Sequence, residues 1–218
     1  MIELFALPVS AYCAKVRIAL EMKRVDYREL PPPDGYGSAA YRSIVPAGSI
    51  PAIRDGDFTL HDADAILDYL DECYPTPPLL PEGIELRAWV RSLARFHDSE
   101  YEPRVRAFFP LVGKPKDERV AAAIENLLEI HLRFESIAQK CGLPNPYLGG
   151  GEISKADLCY APTVRMARRI LMEFDTDLDL SDAISNWLER IVAEPGVAHS
   201  QSIMSAALDS WIDSKQNE

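Results

Sequence analysis

Hydrophobic and polar positions mix strand and helical periods over the first third of this chain and keep the helical period beyond it. Ile2 to Ala6 is a short apolar run that suits a buried strand. From Ala11 to Met22, Val16, Ala19 and Leu20 recur at helical spacing. Asp26 to Leu30 reads as a second strand beside the first, and Pro31-Pro32-Pro33-Asp34-Gly35 breaks regular structure. Ser38 to Ile44 suits a short helix. Ala52 to Arg54 and Phe58 to Leu60 flank Asp55-Gly56-Asp57, a hairpin signal. Ala63 to Glu72 then puts Ala65, Ile66 and Leu70 on one side of a helix.

Strand signals stop at a proline-dense stretch, Tyr74 to Pro81. Beyond it lie long segments of helical period, Leu86 to Phe109, Arg119 to Gln139, Ser154 to Glu173, Leu180 to Ala193 and Gly196 to Trp211. Pro103 should kink or divide the first, and Pro162 should bend the third. The switch predicts two packed domains: residues 1–74 of mixed α/β structure, a linker over 75–85, and an all-helical 86–218.

Composition narrows the class. At 218 residues and 47% hydrophobic, the chain has material for a sizeable core. A net charge of -11 argues against a nucleic-acid surface. No apolar run is long enough for a membrane span. Lys15 and Arg17 fall inside the first helical pattern with no basic segment before them, so no secretory signal is read there. Cys13, Cys73, Cys141 and Cys159 are scattered, and the four histidines are dispersed. Reduced thiols in a cytoplasmic protein, with no metal site, are the simplest account.

The segment Gly48-Ser49-Ile50-Pro51-Ala52-Ile53, followed by Leu60-His61-Asp62-Ala63, carries the clearest chemistry. Proline at a strand start marks a turn or an edge, and an X–Pro bond adopts the cis form at modest cost. A cis Ile50–Pro51 would turn the backbone groups of Ile50 outward, where an extended peptide can pair with them. Asp62 suits the N-cap of a helix beginning at Ala63, whose free N–H groups favour a carboxylate. Pairing groups beside an anion-binding helix start describe a site for a small acidic peptide.

That arrangement resembles the glutathione site of the cytosolic glutathione S-transferase superfamily. Met1-Ile2-Glu3-Leu4-Phe5 looks like its first strand, and Ser10 to Leu20 like its catalytic turn and first helix. Val45 to Ile53 matches the segment with the family's cis proline, and Ile153-Ser154-Lys155-Ala156-Asp157-Leu158 a helix-start motif of its second domain. The resemblance implies a thioredoxin-like N-terminal domain in the order βαβαββα and an all-helical C-terminal domain. It implies glutathione as co-substrate, a small electrophile as second substrate, and a homodimer.

Individual residues carry two readings each. Spacing alone makes Ser10 an N-cap; the resemblance makes it the serine that stabilises a bound thiolate. Cys13, in the first helical turn, is either a small packed residue or a thiol forming a mixed disulfide with glutathione. Lys15 and Arg17 are either solvated surface charges or groups approaching an anionic ligand, and at about 200° apart around a helix both cannot face one site. The resemblance implies that Ser10, Ile50, Pro51, Asp62 and Ala63 bind glutathione. The family usually has an acidic or amide residue at 62, meeting the ligand's amino group, and a serine at 63. Ala63 supplies only its N–H, which weakens binding. Asp64 is a second negative charge near that amino group, or ordinary decoration of a first turn. Tyr12, Tyr101, Arg104 and Phe108 are candidates for the acceptor pocket, with core packing or solvent exposure as the other reading; Asp98 and Tyr101, three apart, should share a helix face. Ser154 and Asp157 form a structural cap, Ser-x-x-Asp.

Beside a transferase, three alternatives stay open. A zeta-type isomerase acting on maleylacetoacetate or maleylpyruvate needs a cationic pocket residue, for which Arg104 is the candidate. A glutathione-dependent lyase or dehalogenase uses the same thiolate. A non-catalytic binding protein of the same fold fits the Asp62-Ala63 departure.

Overall fold

Alternation along β1 (Ile2–Phe5) sends Ile2 and Leu4 to one face of a sheet and Phe5 to the other, and each face has its own core. The structure, a computed structural model, describes residues 1–115 and 117–216. Lys116, Asn217 and Glu218, assigned above to the helical domain, lie outside the described residues. β2 (Tyr27–Leu30) runs parallel to β1, while β3 (Ala52–Asp55) pairs antiparallel with β1 and with β4 (Phe58–His61), giving the order β2-β1-β3-β4. Asp55 pairs with Phe58 across the two-residue turn Gly56-Asp57, where Gly56 takes φ 60°.

α1 (Ala11–Met22) and α3 (Ala63–Cys73) cover the Leu4 face, and the short α2 (Ala39–Arg42) brings Tyr41 against Phe5, Val45 and Ala52 on the other. Ser10, Ser38 and Asp62 cap these three helices through their side chains. The elements follow the order βαβαββα. On α3 the buried positions are Ala63, Ile66, Leu67 and Leu70, so the apolar stripe lies one residue round from the side that Ala65 was expected to join.

Among the described residues, the elements that follow are helices, with one isolated bridge between Tyr147 and Gly150. α4 (Ile84–Phe96) runs into a π-helical turn (His97–Tyr101) and then α5 (Glu102–Arg106). Pro103 is the cause: it lacks an N–H and its ring crowds the carbonyl four residues back, so the helix widens at Ser99 instead of continuing. α6 (Glu118–Lys140), α7 (Lys155–Met172), α8 (Asp182–Val192) and α9 (Pro195–Gln216) complete the chain. Pro162 sits within α7 without ending it. Asp157 Oδ2 accepts from the Ser154 N–H (2.8 Å) and hydroxyl (2.9 Å), while Oδ1 accepts from Leu148 N–H (2.8 Å) and Trp187 Nε1–H (2.7 Å). No helix of the described residues is long and apolar enough to cross a membrane.

α1 is the hinge of the whole arrangement. It packs on α3 at one side and on α7 and α9 at the other, and every residue from Cys13 to Leu20 is buried. This overturns the solvated reading of Lys15 and Arg17, both of which are fully buried. Lys15 turns to Asp98, and Arg17 to Glu29 and Ser200 on another flank, as their angular separation requires. A helix held between a sheet and a helical bundle has no solvent face, so its two cations meet protein partners instead of water.

Candidate active site

The chain leaves β1 at Phe5 and enters α1 through Ser10, which is extended (φ -78°, ψ 123°) and half-buried. Ser10 Oγ accepts the Cys13 backbone N–H at 3.3 Å. That bond uses the oxygen as acceptor and leaves the O–H to donate, with the Cys13 sulfur one acceptor within its reach. Cys13 itself is fully buried. Burial pushes its thiol up to about 11, although the Ser10 hydroxyl and the Leu7 backbone pull the other way. A buried neutral thiol is a packing group. The burial of Cys13 favours the small packed residue over the reactive thiol.

β3 is paired on both edges, with Ala52 opposite Phe5 on β1 and His61 on β4. Unpaired backbone groups at this end of the sheet therefore belong to the residues before it. The Ile50–Pro51 peptide is cis, Pro51 is buried, and Ile50 is half-buried. The Tyr41 hydroxyl donates to the Ser49 carbonyl at 2.9 Å and holds the approach to the turn.

Asp62 adopts φ 75°, and its Oδ1 accepts from the N–H groups of Asp64 (3.1 Å) and Ala65 (3.0 Å). One of its two oxygens is thus turned back onto its own helix instead of towards a ligand. The cap leaves out the N–H of Ala63, a residue 6% exposed. Asp64, a second negative charge near the ligand's amino group or ordinary decoration of a first turn by sequence, is paired: Lys155 Nζ at the start of α7 lies 3.0 Å from its Oδ1 and 2.7 Å from Asp68 Oδ1. Asp62, Asp64, Asp68, Arg95 and Asp98 line a groove of about 330 Å³ beside this helix start.

Across that groove the π turn presents Asp98 to α1. Lys15 Nζ lies 2.8 and 2.9 Å from the two Asp98 oxygens, and the Tyr12 hydroxyl donates to the Asp98 carbonyl at 3.1 Å. His97 Nδ1 meets Asp98 Oδ1 at 2.7 Å and its Nε2 meets Thr163 Oγ1 at 2.7 Å. Burial works to raise the Asp98 carboxyl, but the hydrogen bond from His97 and the charge of Lys15 outweigh it and hold it at about 2. Burial holds the His97 imidazole below its usual value, so it is neutral at pH 7. His97, Asp98 and Cys159 bring their ligand atoms within 4.8 Å of one another. The Lys15 ammonium, also 3.6 Å from Cys159 Sγ, supplies the cation of this cluster.

The other pocket candidates separate. Tyr101 and Phe108 are fully buried in the core, so neither lines an open pocket as expected. The Tyr101 hydroxyl meets His131 Nδ1 at 2.8 Å, and Phe108 packs on Phe174. Nor do Asp98 and Tyr101 share a face, because the wider π turn breaks the three-residue alignment of an α-helix. Arg104 folds back on Glu100, reaching its carbonyl at 2.6 Å and its carboxylate at 3.0 Å. Arg106, not Arg104, is the arginine of α5 that reaches Tyr12. Its guanidinium lies 5.7 Å from the Tyr12 ring centroid and 3.1 Å from Glu102 Oε2, and Glu102 has its carboxyl raised by burial. Lys15, Lys155, Glu102 and Arg106 escaped the sequence reading. For Lys15 a signal existed: it is flanked by Ala14 and Val16 within a mainly apolar helix.

Residues 4–78 match the family model described as glutathione S-transferase, N-terminal domain, and residues 101–195 the one described as glutathione S-transferase, C-terminal domain. The chain is 41% identical over 173 residues to glutathione S-transferase Z1 of Arabidopsis thaliana, covering 76% of this chain and 77% of that protein. It is 30% identical over 184 residues to maleylacetoacetate isomerase of Rattus norvegicus, covering 82% of each. Its fold is similar to that of the tau-class glutathione S-transferase of mango, Mangifera indica, with a TM-score of 0.83, 22% identity and 96% of each chain covered.

Proposed function

We propose that this chain, which belongs to the glutathione S-transferase family, binds glutathione beside Ser10 and delivers its thiolate to a small electrophile. In this reading residues 1–74 hold glutathione, residues 75–85 link, and residues 86–218 complete the acceptor pocket. Ile50 pairs with the peptide backbone, Pro51 shapes the turn before β3, and the Ala63 N–H takes the γ-glutamyl carboxylate. The observation that carries the reading is a half-exposed Ser10 at the start of α1, whose hydroxyl is the donor nearest the surface, above a Cys13 that is buried. Donation to sulfur stabilises the thiolate over the thiol, whose proton leaves to solvent. A carbon–sulfur bond then forms while the leaving group departs with its electron pair. The chain's own contribution is proximity and charge stabilisation.

Arg106 gives a specific reason to hold the isomerase as a second reading. A cation stacked over Tyr12, two residues from Ser10, suits an acceptor that carries a carboxylate. Maleylacetoacetate isomerases stand among the similar proteins of rat and mouse. There glutathione would add to the unsaturated diacid and be released again. The partner in both readings is a small molecule, and the assembly a cytoplasmic homodimer; exposed Ile84 and Trp89 on α4 and Phe58 on β4 support an apolar contact face.

Isothermal titration with glutathione tests the common premise, and a chain that does not bind it is a fold relative without this activity. Product analysis then decides the chemistry. A conjugate formed from a chlorinated dinitrobenzene supports the transferase, and cis-to-trans conversion of a maleyl substrate with glutathione recovered intact supports the isomerase.

A further inference from the structure

The groove beside α3 presents an electrostatic contradiction to an acidic peptide. Asp62 and Asp64 flank the Ala63 N–H that is to receive a carboxylate, Asp68 lies one turn on, and against these three carboxylates the groove lining sets Arg95. Unscreened, those charges repel the ligand they should hold. Beneath them lies Lys155, the first residue of α7, 2% exposed, with Nζ 2.7 Å from Asp68 and 3.0 Å from Asp64. Its backbone N–H donates to the Leu79 carbonyl at 2.9 Å, and the Ser154–Asp157 cap immediately precedes and follows it. The Lys155 backbone is therefore held in place, and its ammonium ends at the two aspartates.

We infer that Lys155 is a positioning residue for the ligand's γ-glutamyl carboxylate, acting through Asp64. It does not touch the ligand. It cancels the charge of Asp64, one residue from Ala63, and so lets the dipole of α3 attract an anion that the bare first turn would repel. A lysine of the helical half thereby tunes a binding site built on the sheet half. This rests on the glutathione reading given above.

The test compares two ligands on three variants. One ligand is glutathione. The other is its analogue with a 4-aminobutanoyl group in place of the γ-glutamyl group, which lacks the α-carboxylate and keeps the amine. Lys155→Met should weaken glutathione on the order of tenfold while leaving the analogue unchanged or tighter. The paired variant Lys155→Met/Asp64→Leu replaces an ion pair by apolar packing and should restore glutathione binding. Asp64→Asn alone, which keeps Lys155 and shape, should tighten glutathione and not the analogue. Equal loss of both ligands in Lys155→Met means that the lysine only supports the fold, and overturns the inference. Weaker glutathione binding in Asp64→Asn does the same, because Asp64 would then be holding the amine. If Lys155→Met does not fold, the other two variants decide by the same criteria. An unaltered chain that binds neither ligand overturns the glutathione reading and this inference with it; one that binds both leaves the variants to judge the inference alone.

Discussion

Lys15 Nζ lies 2.8 Å from Asp98 Oδ1 and 2.9 Å from Oδ2, so a single buried ammonium on α1 closes both oxygens of a carboxylate on the π turn. The same aspartate takes the Tyr12 hydroxyl on its backbone carbonyl. Two side chains of α1, one turn apart, thus fasten the helical half of the chain directly behind Ser10.

Breaking this contact should be costly. Lys15→Met leaves a carboxylate 25% exposed without its cation, and should lower stability by about 3 kcal/mol in denaturant unfolding. The pH dependence has a definite sign. Asp98 is held at about 2, below the ordinary carboxylate value, so its contribution is fully present above about pH 4. It is lost as pH falls towards 2. The stability difference between the unaltered chain and Asp98→Asn should be flat from pH 5 to 7 and shrink by on the order of 2 kcal/mol below it. A difference that grows on acidification would show that Asp98 is not the ionised partner.

Ser10 and Cys13 should respond oppositely. Ser10→Ala should reduce turnover of a chlorinated dinitrobenzene by about ten- to a hundredfold, the worth of one charge-assisted hydrogen bond, with glutathione affinity nearly unchanged. It should also remove an N-cap, at about 1 kcal/mol of stability. Cys13→Ala should keep its activity. Intact mass after incubation with oxidised glutathione should show no adduct on Cys13, and a reducible adduct there would reverse the two roles.

At the start of α3, Ala63→Ser restores a hydroxyl beside the N–H offered to the ligand carboxylate. Glutathione should bind about tenfold more tightly by calorimetry. Unchanged affinity would mean that the carboxylate is held elsewhere.

Asp157 accepts four hydrogen bonds at the start of α7 and is fully buried. Asp157→Ala strands the Leu148 and Ser154 N–H groups and the Trp187 indole together. Thermal and denaturant unfolding should show a loss of about 3–5 kcal/mol, against about 1 kcal/mol for Ser154→Ala, which removes one donor and leaves the rest.

Much of the architecture is written locally. The order of strands and helices, the hairpin at Gly56, the caps at Ser10, Ser38 and Asp62, and the division of a helix by Pro103 depend on residues within a few positions of one another. Turn chemistry, capping and periodicity act over that range, so they are legible without knowing what packs against what. The family resemblance is legible for the same reason, since its motifs are short and keep their order.

Partners across the chain are a different matter. Lys15 and Arg17 read as surface charges because a helix with two cations ordinarily has a wet side; only the packing of α1 between α3 and α7 with α9 removes it. Tyr101 and Phe108 lie in the core because the π turn rotates the segment after His97 by an amount no α-helical wheel contains. Arg106, not Arg104, reaches Tyr12 for the same reason. Lys155 meets Asp64 and Asp68 although 91 and 87 residues separate them in the chain. Local rules decided what each segment becomes. Which charges are neutralised, and which side chains see solvent, was decided by long-range burial, where an ion must find its counter-ion or stay in water.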